Sequence, residues 1–436
     1  MSREIKRPGY FLLKMLVLLT HFVFLGTVLL NGKDVKALEI LKLSVTVIAS
    51  DLIYFVIFDA LDQENHAIDI LLVLIVNISL IFQSCFTGIH LDLKHFVTIA
   101  AGMACYIIGF LTTRNSFKSE KYKVLYYIAS VVIMLVIVVF AGPRSMWINI
   151  GGISLQPSEF LKPLLILICA TSLKKQQDKK QIWLFRVAPN NIAMVVFGMI
   201  IIAFQWWCRD LGSIPMFAGI LGCAVINRMC YPKAKFSKKR LIALGAVVAA
   251  TGLIAIKFAP GYVKDRLYVD IWADRYGDGY QQCEALIAIA EGGWFGKGPG
   301  HGTLYTVDSF AFNTDTVFSS VSEEWGLLAS LLFVALLIVL LATTIVNVPR
   351  CYYHGTIAVG VTAVFIIQMS LNIFGSCNLI PFTGVTLPFL SNGGTSMVTS
   401  GFLIGMLRAS QSPDFVRHIV EKTPKKASVK KGVRSV

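Results

Sequence analysis

The chain has 436 residues and a mean hydropathy of +0.69, with 56% of its residues hydrophobic and only 15% charged. A soluble protein of this length needs a charged and polar surface, so the composition excludes that class and favours a protein embedded in lipid. The net charge of +15 does not indicate a nucleic-acid partner, because the lysines and arginines form short clusters between apolar segments.

Apolar segments recur along nearly the whole chain. A transmembrane helix needs about 20 apolar residues, and by that measure the sequence predicts about twelve such helices. We therefore expect an all-α polytopic membrane protein with one long extracellular loop, at 259–320. The predicted spans are 11–31, 39–60, 67–87, 94–113, 123–141, 156–173, 190–207, 211–229, 239–258, 321–346, 355–375 and 393–409.

Clusters of lysine and arginine between these segments predict the orientation. Cytoplasmic loops of membrane proteins carry an excess of both residues. With the amino terminus inside, most basic clusters face the cytoplasm, including those at 118–123, 174–180 and 233–240 and the carboxy-terminal tail. Both termini are then cytoplasmic. We divide the chain into N-terminal helices over 1–120, a core over 121–410 and a basic tail over 411–436.

The short loop at 142–155, predicted to be extracellular, carries Arg144 and Trp147. A guanidinium group binds phosphate through two parallel hydrogen bonds, and an indole ring stacks on a sugar. Trp147 is equally well explained as an anchor at the membrane interface.

Asp315 lies between aromatic residues just before the predicted span at 321–346. A carboxyl group in apolar surroundings at a membrane interface can have a raised pKa, which suits a general base. Alternatively, Asp315 complements the positive end of the helix dipole. Its position alone favours this second interpretation.

Glu159 and Lys162 are three residues apart at the start of the predicted span at 156–173, so they share a helix face. Charged residues within a span usually face the bundle interior or a wet cavity. The pair is either part of a site there or only neutralises itself, and the spacing does not decide between the two.

Other polar candidates lie in irregular segments. The glycine-rich run at 292–300 lacks the spacing of a nucleotide-binding loop, although it could hold a phosphate near Lys297. Two prolines at 381 and 388 predict a broken segment, which a membrane protein tolerates only beside protein or a water-filled cavity. The polar residues near these segments are Lys297, Glu324, Asn372, Thr383 and Ser391. Together they indicate an enzyme acting on a lipid-linked polar substrate, or a transporter.

An ordered series of motifs resembles the SEDS family of bacterial shape, elongation, division and sporulation proteins, which includes FtsW, RodA and SpoVE. Each motif alone is weak, but their order is specific to the family and covers roughly 140–410. Asn313 stands where the family usually has histidine, two residues before the aspartate. The motifs are Trp147-Ile148-Asn149, Gln156-Pro157-Ser158-Glu159-Phe160, Asp210-Leu211-Gly212-Ser213, Trp272-Ala273-Asp274, Gly279-Tyr280-Gln281, the run at 292–298, Thr314-Asp315, Glu323-Glu324-Trp325-Gly326, the run at 381–389 and Ser391-Asn392-Gly393-Gly394-Thr395-Ser396.

The resemblance implies a peptidoglycan glycosyltransferase that polymerises lipid II at the outer face of the bacterial cytoplasmic membrane. It implies that Asp315 is the catalytic residue and that Trp147 and Lys162 are functionally important. A class B penicillin-binding protein, a transpeptidase, is the implied partner, with undecaprenyl-pyrophosphate-linked glycan, membrane lipid and no nucleic acid as the other contacts. The resemblance identifies no cofactor with certainty, and a divalent cation, Mg or Mn, would offset the charge of the pyrophosphate. The family core has ten spans, so two helices are added at the amino end.

Two other functions are compatible with the sequence. A lipid II flippase would need polar groups lining a path through the bundle, for which Lys14, Lys42 and Asp51 are the available residues. The two lysines are also explained by side chains that reach toward the membrane surface. The second alternative is a non-catalytic scaffold that activates a transpeptidase.

Overall fold

The computed structural model describes residues 10–61, 67–142, 144–150, 153–172, 180–182, 185–187, 189–230, 271–277, 279–307, 310–346 and 352–411. Almost all of the regular structure is helical. The helices are α1 (Phe11–Asn31), α2 (Ala37–Leu61), α3 (Ala67–Gln83), α4 (Leu93–Thr113), α5 (Ser116–Lys121), α6 (Lys123–Phe140), α7 (Leu161–Ser172), α8 (Pro189–Trp207), α9 (Ile214–Cys230), α10 (Tyr280–Gly292), α11 (Val317–Val346), α12 (Tyr352–Ser376) and α13 (Gly394–Ala409).

The predicted polytopic fold is confirmed. Every predicted span except 239–258 coincides with a helix, and that segment lies outside the described residues. Six of the described helices are long and apolar enough to cross a membrane: α1, α2, α4, α6, α11 and α12. Three more, within α3, α8 and α9, are apolar but shorter. The count of twelve spans is therefore not confirmed.

Two predicted loops contain regular structure. Within 142–155, strands β1 (Ile148–Ile150) and β2 (Ile153–Leu155) form an antiparallel hairpin, followed by a 3₁₀ turn at Pro157–Phe160. Within 259–320, α10 and a second 3₁₀ turn at Leu304–Thr306 are helical. A second hairpin pairs β3 (Lys180–Ile182) with β4 (Phe185–Val187).

Helix α11 departs from the predicted uninterrupted span at 321–346. It begins at Val317, and Gly326 interrupts it with a φ of 86° and a ψ of 161°. A methyl group on Gly326 would lie 2.3 Å from the Trp294 carbonyl oxygen, so the approach of the glycine-rich segment and the positive φ both require glycine there. The segment before the break is a separate short helix that starts next to Asp315.

Helices α4 and α13 cross at close range through glycines. A methyl group on Gly401 would lie 2.0 Å from the Gly102 carbonyl oxygen, and one on Gly405 would lie 2.1 Å from the Tyr106 carbonyl oxygen. In a membrane, helices associate through such small residues because lipid offers no hydrophobic driving force. This crossing fixes α13, which follows directly on the broken segment at 381–393.

Helix α3 is buried along its length and carries polar side chains into the bundle. Near its start, Asp69 accepts hydrogen bonds from the Tyr106 hydroxyl and from Arg408 Nε, which lies 3.2 Å from Asp69 Oδ2. Farther along, Asn77 Nδ2 donates to Asp51 Oδ1 at 2.7 Å, and His21 Nδ1 lies 2.7 Å from Asp51 Oδ2. Polar contacts thus tie α1, α2, α4 and α13 to α3.

The three residues considered for a transport path, Lys14, Lys42 and Asp51, each contact different partners. Lys14 Nζ contacts Asp59 at 2.7 Å, whereas Lys42 Nζ contacts Glu39 at 2.8 Å. Asp51 is fully buried against His21 and Asn77. Each of the three groups thus has a partner of its own among the described residues.

Candidate functional site

The Asp315 turn, defined as residues 311–316, comes immediately before α11. Backbone amides of Thr314 and Thr316 both donate to the Ala311 carbonyl oxygen, and the Thr316 hydroxyl donates to it at 3.0 Å. The Ser320 hydroxyl, one turn into α11, donates to the Phe312 carbonyl oxygen at 2.7 Å. Local hydrogen bonds therefore define a compact turn at the end of the helix.

Three other parts of the chain hold this turn in place. Asn372 of α12 donates from Nδ2 to the carbonyl oxygens of Asp315 and Val385, both at 2.7 Å. Gln83 at the end of α3 donates to the carbonyl oxygens of Asn313 and Leu390. These amides hold the turn against the segment at 381–391, which the two prolines predicted to be irregular.

Ser391 and Asn392 add contacts from the same segment. The Ser391 hydroxyl donates to the Thr314 carbonyl oxygen at 2.6 Å and accepts from the Leu387 amide at 2.8 Å. The Asn392 amide donates to the Asn313 carbonyl oxygen at 2.8 Å. The predicted substrate-binding residues Asn372 and Ser391 thus bind the backbone on either side of Asp315, and their role in substrate binding stays a prediction.

The Asp315 carboxyl group faces Gly384. A methyl group on Gly384 would lie 3.2 Å from Asp315 Oδ2, and the φ of +66° at Gly384 also favours glycine. Burial raises the pKa of Asp315 to about 6, and a hydrogen bond from the Thr314 hydroxyl opposes that rise only in part. A carboxyl with this pKa is ionised at neutral pH and is still basic enough to accept a proton.

Glu159 and Lys162 form a buried ion pair where the 3₁₀ turn meets α7. Lys162 Nζ lies 2.7 Å from Glu159 Oε1 and 2.8 Å from Oε2. Both side chains are buried, and the pair neutralises itself in the absence of a ligand. The adjacent Ser158 hydroxyl is buried, and it has no hydrogen-bond partner in the part of the chain that the structure describes.

Asp210 joins this pair, although the sequence analysis identified it only as part of a motif. Its Oδ2 accepts from Gln156 Nε2 at 3.2 Å and from the Ser213 hydroxyl at 2.6 Å. Burial raises the Asp210 pKa; the Ser213 hydrogen bond lowers it, the charge of Glu159 adds to the rise and that of Lys162 opposes it. The signal in the sequence was a charged pair, Arg209-Asp210, between two apolar runs.

Gly212 connects the Asp210 turn to the Asp315 turn. A methyl group there would lie 2.5 Å from a side-chain carbon of Val385 and 3.2 Å from the Thr383 carbonyl oxygen. The next residue after Thr383 is Gly384, against which Asp315 lies. The Thr383 hydroxyl is buried without a hydrogen-bond partner among the described residues, so it is a candidate donor to a ligand.

Arg144 and Trp147 lie in the turn before β1, where both side chains are exposed. Arg144 has a φ of 57°, in the left-handed region. Trp147 is 49% exposed, and it precedes the first paired residue of the hairpin, Ile148, which is opposite Leu155. Trp147 therefore lies beside Gln156, whose side chain contacts Asp210.

Lys297 and Glu324 are in a separate cluster. Lys297 Nζ bonds to Glu291 and, at 2.8 Å, to Glu323, while Glu324 Oε2 accepts from the Gly300 amide at 3.1 Å. Burial lowers the Lys297 pKa, but the two carboxylates outweigh it and the net shift is upward. Both predicted binding residues thus fasten the glycine loop, residues 292–302, to α11. Their predicted role in substrate binding stays a prediction.

No group of three or more histidine, cysteine, aspartate or glutamate residues suited to a metal ion occurs within the described residues. Glu159 and Asp210 are the two carboxylates whose charges interact in the cluster that contains Lys162. The divalent cation stays a proposal on these observations.

The family profile of the FtsW, RodA and SpoVE proteins, described as cell cycle proteins, matches residues 63–412. The relatives include one from Acinetobacter baylyi named "Probable peptidoglycan glycosyltransferase FtsW", 27% identical over 73% of this chain and 79% of its own length. Another is stage V sporulation protein E of Bacillus subtilis, 32% identical over 61% of this chain and 70% of its own length.

Solved structures share the fold. A peptidoglycan synthase complex described as coordinating polymerization and crosslinking matches with a TM-score of 0.60 and 20% identity, over 79% of this chain and 97% of the solved chain. The rod shape determining protein RodA of Thermus thermophilus matches with a TM-score of 0.54 and 19% identity, over 80% and 96% of the two chains. Helices α1 and α2 precede the residues that the family profile matches.

Proposed function

The chain belongs to the FtsW/RodA/SpoVE family of cell cycle proteins, and on that premise we propose that it is a peptidoglycan glycosyltransferase that polymerises lipid II into β1,4-linked glycan. Relatives from Acinetobacter baylyi and Bacillus subtilis are named "Probable peptidoglycan glycosyltransferase FtsW". The observation that carries the proposal is the Asp315 turn, in which one carboxyl group with a raised pKa is held by three separate parts of the chain.

Asp315 acts as the general base in the proposed reaction. Its carboxylate takes the proton from the 4-hydroxyl of the acceptor sugar as that oxygen forms a bond to the anomeric carbon of the donor. The bond from that carbon to the lipid diphosphate breaks, and undecaprenyl diphosphate leaves with the electron pair. A single displacement of this kind inverts an α-linked donor to a β-linked product.

The Glu159–Lys162–Asp210 cluster lies on the diphosphate side of this reaction. Lys162 supplies a cation, and the buried surroundings strengthen its interaction with a developing negative charge. Trp147 stacks on a sugar ring, and Arg144 contacts a phosphate. A divalent cation, Mg or Mn, would share the same diphosphate oxygens, and chelation of the purified enzyme tests for it.

The orientation and partner follow from the same proposal. The Asp315 end of the bundle faces the outside of the cytoplasmic membrane, with both termini cytoplasmic, because the basic clusters then lie inside. The partner is a class B penicillin-binding protein, supported by the resemblance to a solved synthase complex that polymerises and crosslinks.

The test uses purified full-length protein, with and without the transpeptidase, and lipid II in detergent. Asp315→Asn keeps the size and shape of the side chain but removes the base, so polymer formation should fall by about 10²–10⁴-fold. Glu284→Gln, at an exposed ion pair with Arg275, is the matched control and should retain activity. Thermal unfolding of both variants verifies that they fold.

Each alternative has its own outcome in this assay or in a companion assay of lipid II transfer in liposomes. If the folded Asp315→Asn variant makes polymer at the wild-type rate, Asp315 is not the general base. Transfer of lipid II across liposomes without any polymer favours the flippase. Stimulation of the transpeptidase with no polymer from either protein alone favours the scaffold.

A further inference from the structure

We propose that the α1–α2 hairpin, residues 11–61, positions the Asp315 turn, and that it acts through the Phe24 side chain and the backbone amide of Lys33. That this turn is catalytic rests on the proposed function. The hairpin precedes the residues that the family profile matches, 63–412, and none of its residues takes part in the reaction described above.

Buried polar contacts fix the hairpin against α3. His21 Nδ1 lies 2.7 Å from Asp51 Oδ2, and Asn77 Nδ2 donates to Asp51 Oδ1 at 2.7 Å. All three side chains are buried, and polar groups within a membrane protein point into the bundle toward such partners. Phe24 is three residues after His21, so it lies on the same face of α1, toward α3.

The Phe24 ring packs on two aromatic side chains of other helices. Its centroid is 5.6 Å from that of Phe82 in α3, edge to face, and 5.5 Å from that of Trp325 in α11. The Phe82 and Trp325 rings are themselves 4.9 Å apart. Phe24 thus completes a cluster of three rings that joins α1, α3 and α11.

This aromatic cluster adjoins the Asp315 turn on two sides. Phe82 directly precedes Gln83, whose side chain donates to a carbonyl oxygen of the turn at 3.0 Å. Trp325 is the last residue of the short helix, defined as residues 317–325, which begins directly after the turn and ends at the break in α11. A displacement of either ring therefore reaches the turn through the adjoining element.

The break at Gly326 makes the short helix depend on contacts from elsewhere in the chain. The Glu323 carbonyl oxygen accepts from the Lys297 amide of the glycine loop at 2.8 Å, whereas in an uninterrupted helix it would accept from the Leu327 amide. The Leu327 amide instead donates to the Gly293 carbonyl oxygen at 2.9 Å, and the next residue in each segment repeats this exchange. The glycine loop thus replaces the hydrogen bonds that would join the short helix to the rest of α11.

The loop between α1 and α2 contacts the glycine loop directly. The Lys33 amide donates to the Pro299 carbonyl oxygen at 3.0 Å. A methyl group on Gly298 would lie 3.1 Å from the Asn31 carbonyl oxygen, so the two backbones approach closely. The hairpin therefore supports the short helix twice, through an aromatic ring within the bundle and through its loop.

The first test measures amide hydrogen exchange of the full-length protein in detergent by mass spectrometry, and it needs no activity. Phe24→Ala should raise the exchange rate of peptides that cover 311–326 about tenfold, because the turn and the short helix lose this support. Phe22→Ala is the matched control, since Phe22 is in the same helix but 59% exposed, and it should exchange as the wild type does. Wild-type exchange over 311–326 in Phe24→Ala, or an equal rise in every helix, would overturn the proposal.

Steady-state kinetics then tests whether this support reaches the catalytic group. Phe24→Ala should lower kcat about tenfold and change KM for lipid II less than about twofold, because a displaced base slows the chemical step. Phe24→Leu keeps much of the apolar volume and should recover most of the loss. A loss confined to KM, or the same loss of kcat in Phe22→Ala, would contradict a positioning role.

A pair of substitutions at Lys33 tests the second contact. Lys33→Pro removes the amide that donates to the glycine loop, and Gly32 already has the extended backbone that a residue before proline needs, with a φ of −77° and a ψ of 150°. Lys33→Ala keeps the amide and is the matched control. Lys33→Pro should raise exchange over 292–302 and lower kcat about fivefold, as expected for one lost hydrogen bond, and Lys33→Ala should do neither. Equal behaviour of the two variants would refute this contact, and thermal unfolding verifies that both fold.

The exchange and kinetic measurements separate this proposal from the proposed function. If the wild-type protein makes no glycan while Phe24→Ala raises exchange over 311–326, the hairpin still positions the turn and only the proposed function fails. If the protein polymerises lipid II and Phe24→Ala retains wild-type exchange and wild-type kcat, only the positioning role fails.

Discussion

At the scale of single residues, Asp315 differs from Glu159 because no cation is paired with Asp315 among the described residues. Its pKa rises to about 6 through burial, whereas Glu159 is bound to Lys162. A base must be ionised to act, so activity should be low below the pKa and rise as the pH increases through it. We expect kcat/KM to rise about tenfold per pH unit below pH 6 and to level off near pH 7.

A control separates Asp315 from Asp210, whose pKa burial also raises. Asp210→Asn should lower the rate yet keep the inflection near pH 6, because Asp315 still titrates. The measurement is the initial rate of polymer formation between pH 5 and pH 8, at substrate concentrations below KM. A flat profile in the wild-type protein, or loss of the inflection in Asp210→Asn, would assign the titration to another group.

At the scale of elements, the site depends on how α12 holds two loops at once. The Asn372 side chain donates to Asp315 and to Val385 at 2.7 Å each, from a buried position. Asn372→Leu would leave both carbonyl oxygens without this donor and should destabilise the protein by about 2–4 kcal/mol. It should also reduce kcat about 100-fold, because a small displacement of a catalytic group costs that much.

Asn227→Leu is the matched control for this effect. Asn227 of α9 donates one hydrogen bond to the Thr356 hydroxyl at 3.0 Å, near the start of α12 and about four turns from Asn372. The Asn227→Leu substitution should destabilise the protein by about 1 kcal/mol without a large change in kcat. Thermal unfolding and the polymerisation rate are measured for both variants, and equal effects on kcat would contradict a positioning role for Asn372.

The crossing of α4 and α13 supplies a prediction about packing. Alanine at Gly405 would place a methyl group 2.1 Å from the Tyr106 carbonyl oxygen, and backbone cannot move aside as a side chain can. We expect Gly405→Ala to cost about 3 kcal/mol or more and to lower the melting temperature. Gly222→Ala in α9, where no tertiary neighbour in the described part of the chain lies within 4 Å of the added methyl group, should be neutral or stabilising by up to about 1 kcal/mol. Equal melting temperatures for the two variants would contradict the close crossing.

At the scale of the whole molecule, the basic clusters predict which end of the bundle faces outward. Tyr276 is 91% exposed in the segment before α10, and Lys118 is exposed in the short helix α5. Tyr276→Cys should react with a membrane-impermeant maleimide in spheroplasts, while Lys118→Cys should react only after the membrane is opened. The wild-type protein gives the background labelling of its native cysteines. Labelling of Lys118→Cys in intact spheroplasts, with Tyr276→Cys labelled only after the membrane is opened, would contradict the proposed orientation.

The whole molecule also shows how α1 and α2, which precede the profile match, are joined to the family core. His21 of α1 and Asp51 of α2 meet Asn77 of α3, and Phe24 packs at 5.5 Å from the Trp325 ring beside the break in α11. The Lys33 amide donates to the Pro299 carbonyl oxygen of the glycine loop at 3.0 Å. The two helices are thus part of one bundle with the core.

The sequence alone was sufficient for the membrane class, the approximate positions of the spans and the family. These follow from local information: hydropathy over about 20 residues determines a span, and an ordered series of short motifs needs no tertiary contact to be seen. The sequence also identified Asp315 as the candidate catalytic residue. That identification depended on the family resemblance, because the position of Asp315 alone favoured a role at the end of a helix.

The tertiary structure decided which polar residues work together. Asp210 joins Lys162 across 48 positions of the chain and Asn372 reaches Asp315 across 57, so no local pattern contained either contact. Lys297 and Glu324 were predicted to bind substrate, and the spacing of the glycine-rich loop did not predict that both would also contact the chain's own carboxylates and amides. A buried charge must find a partner wherever packing brings one, and that partner is determined by the helix arrangement and not by neighbours in sequence.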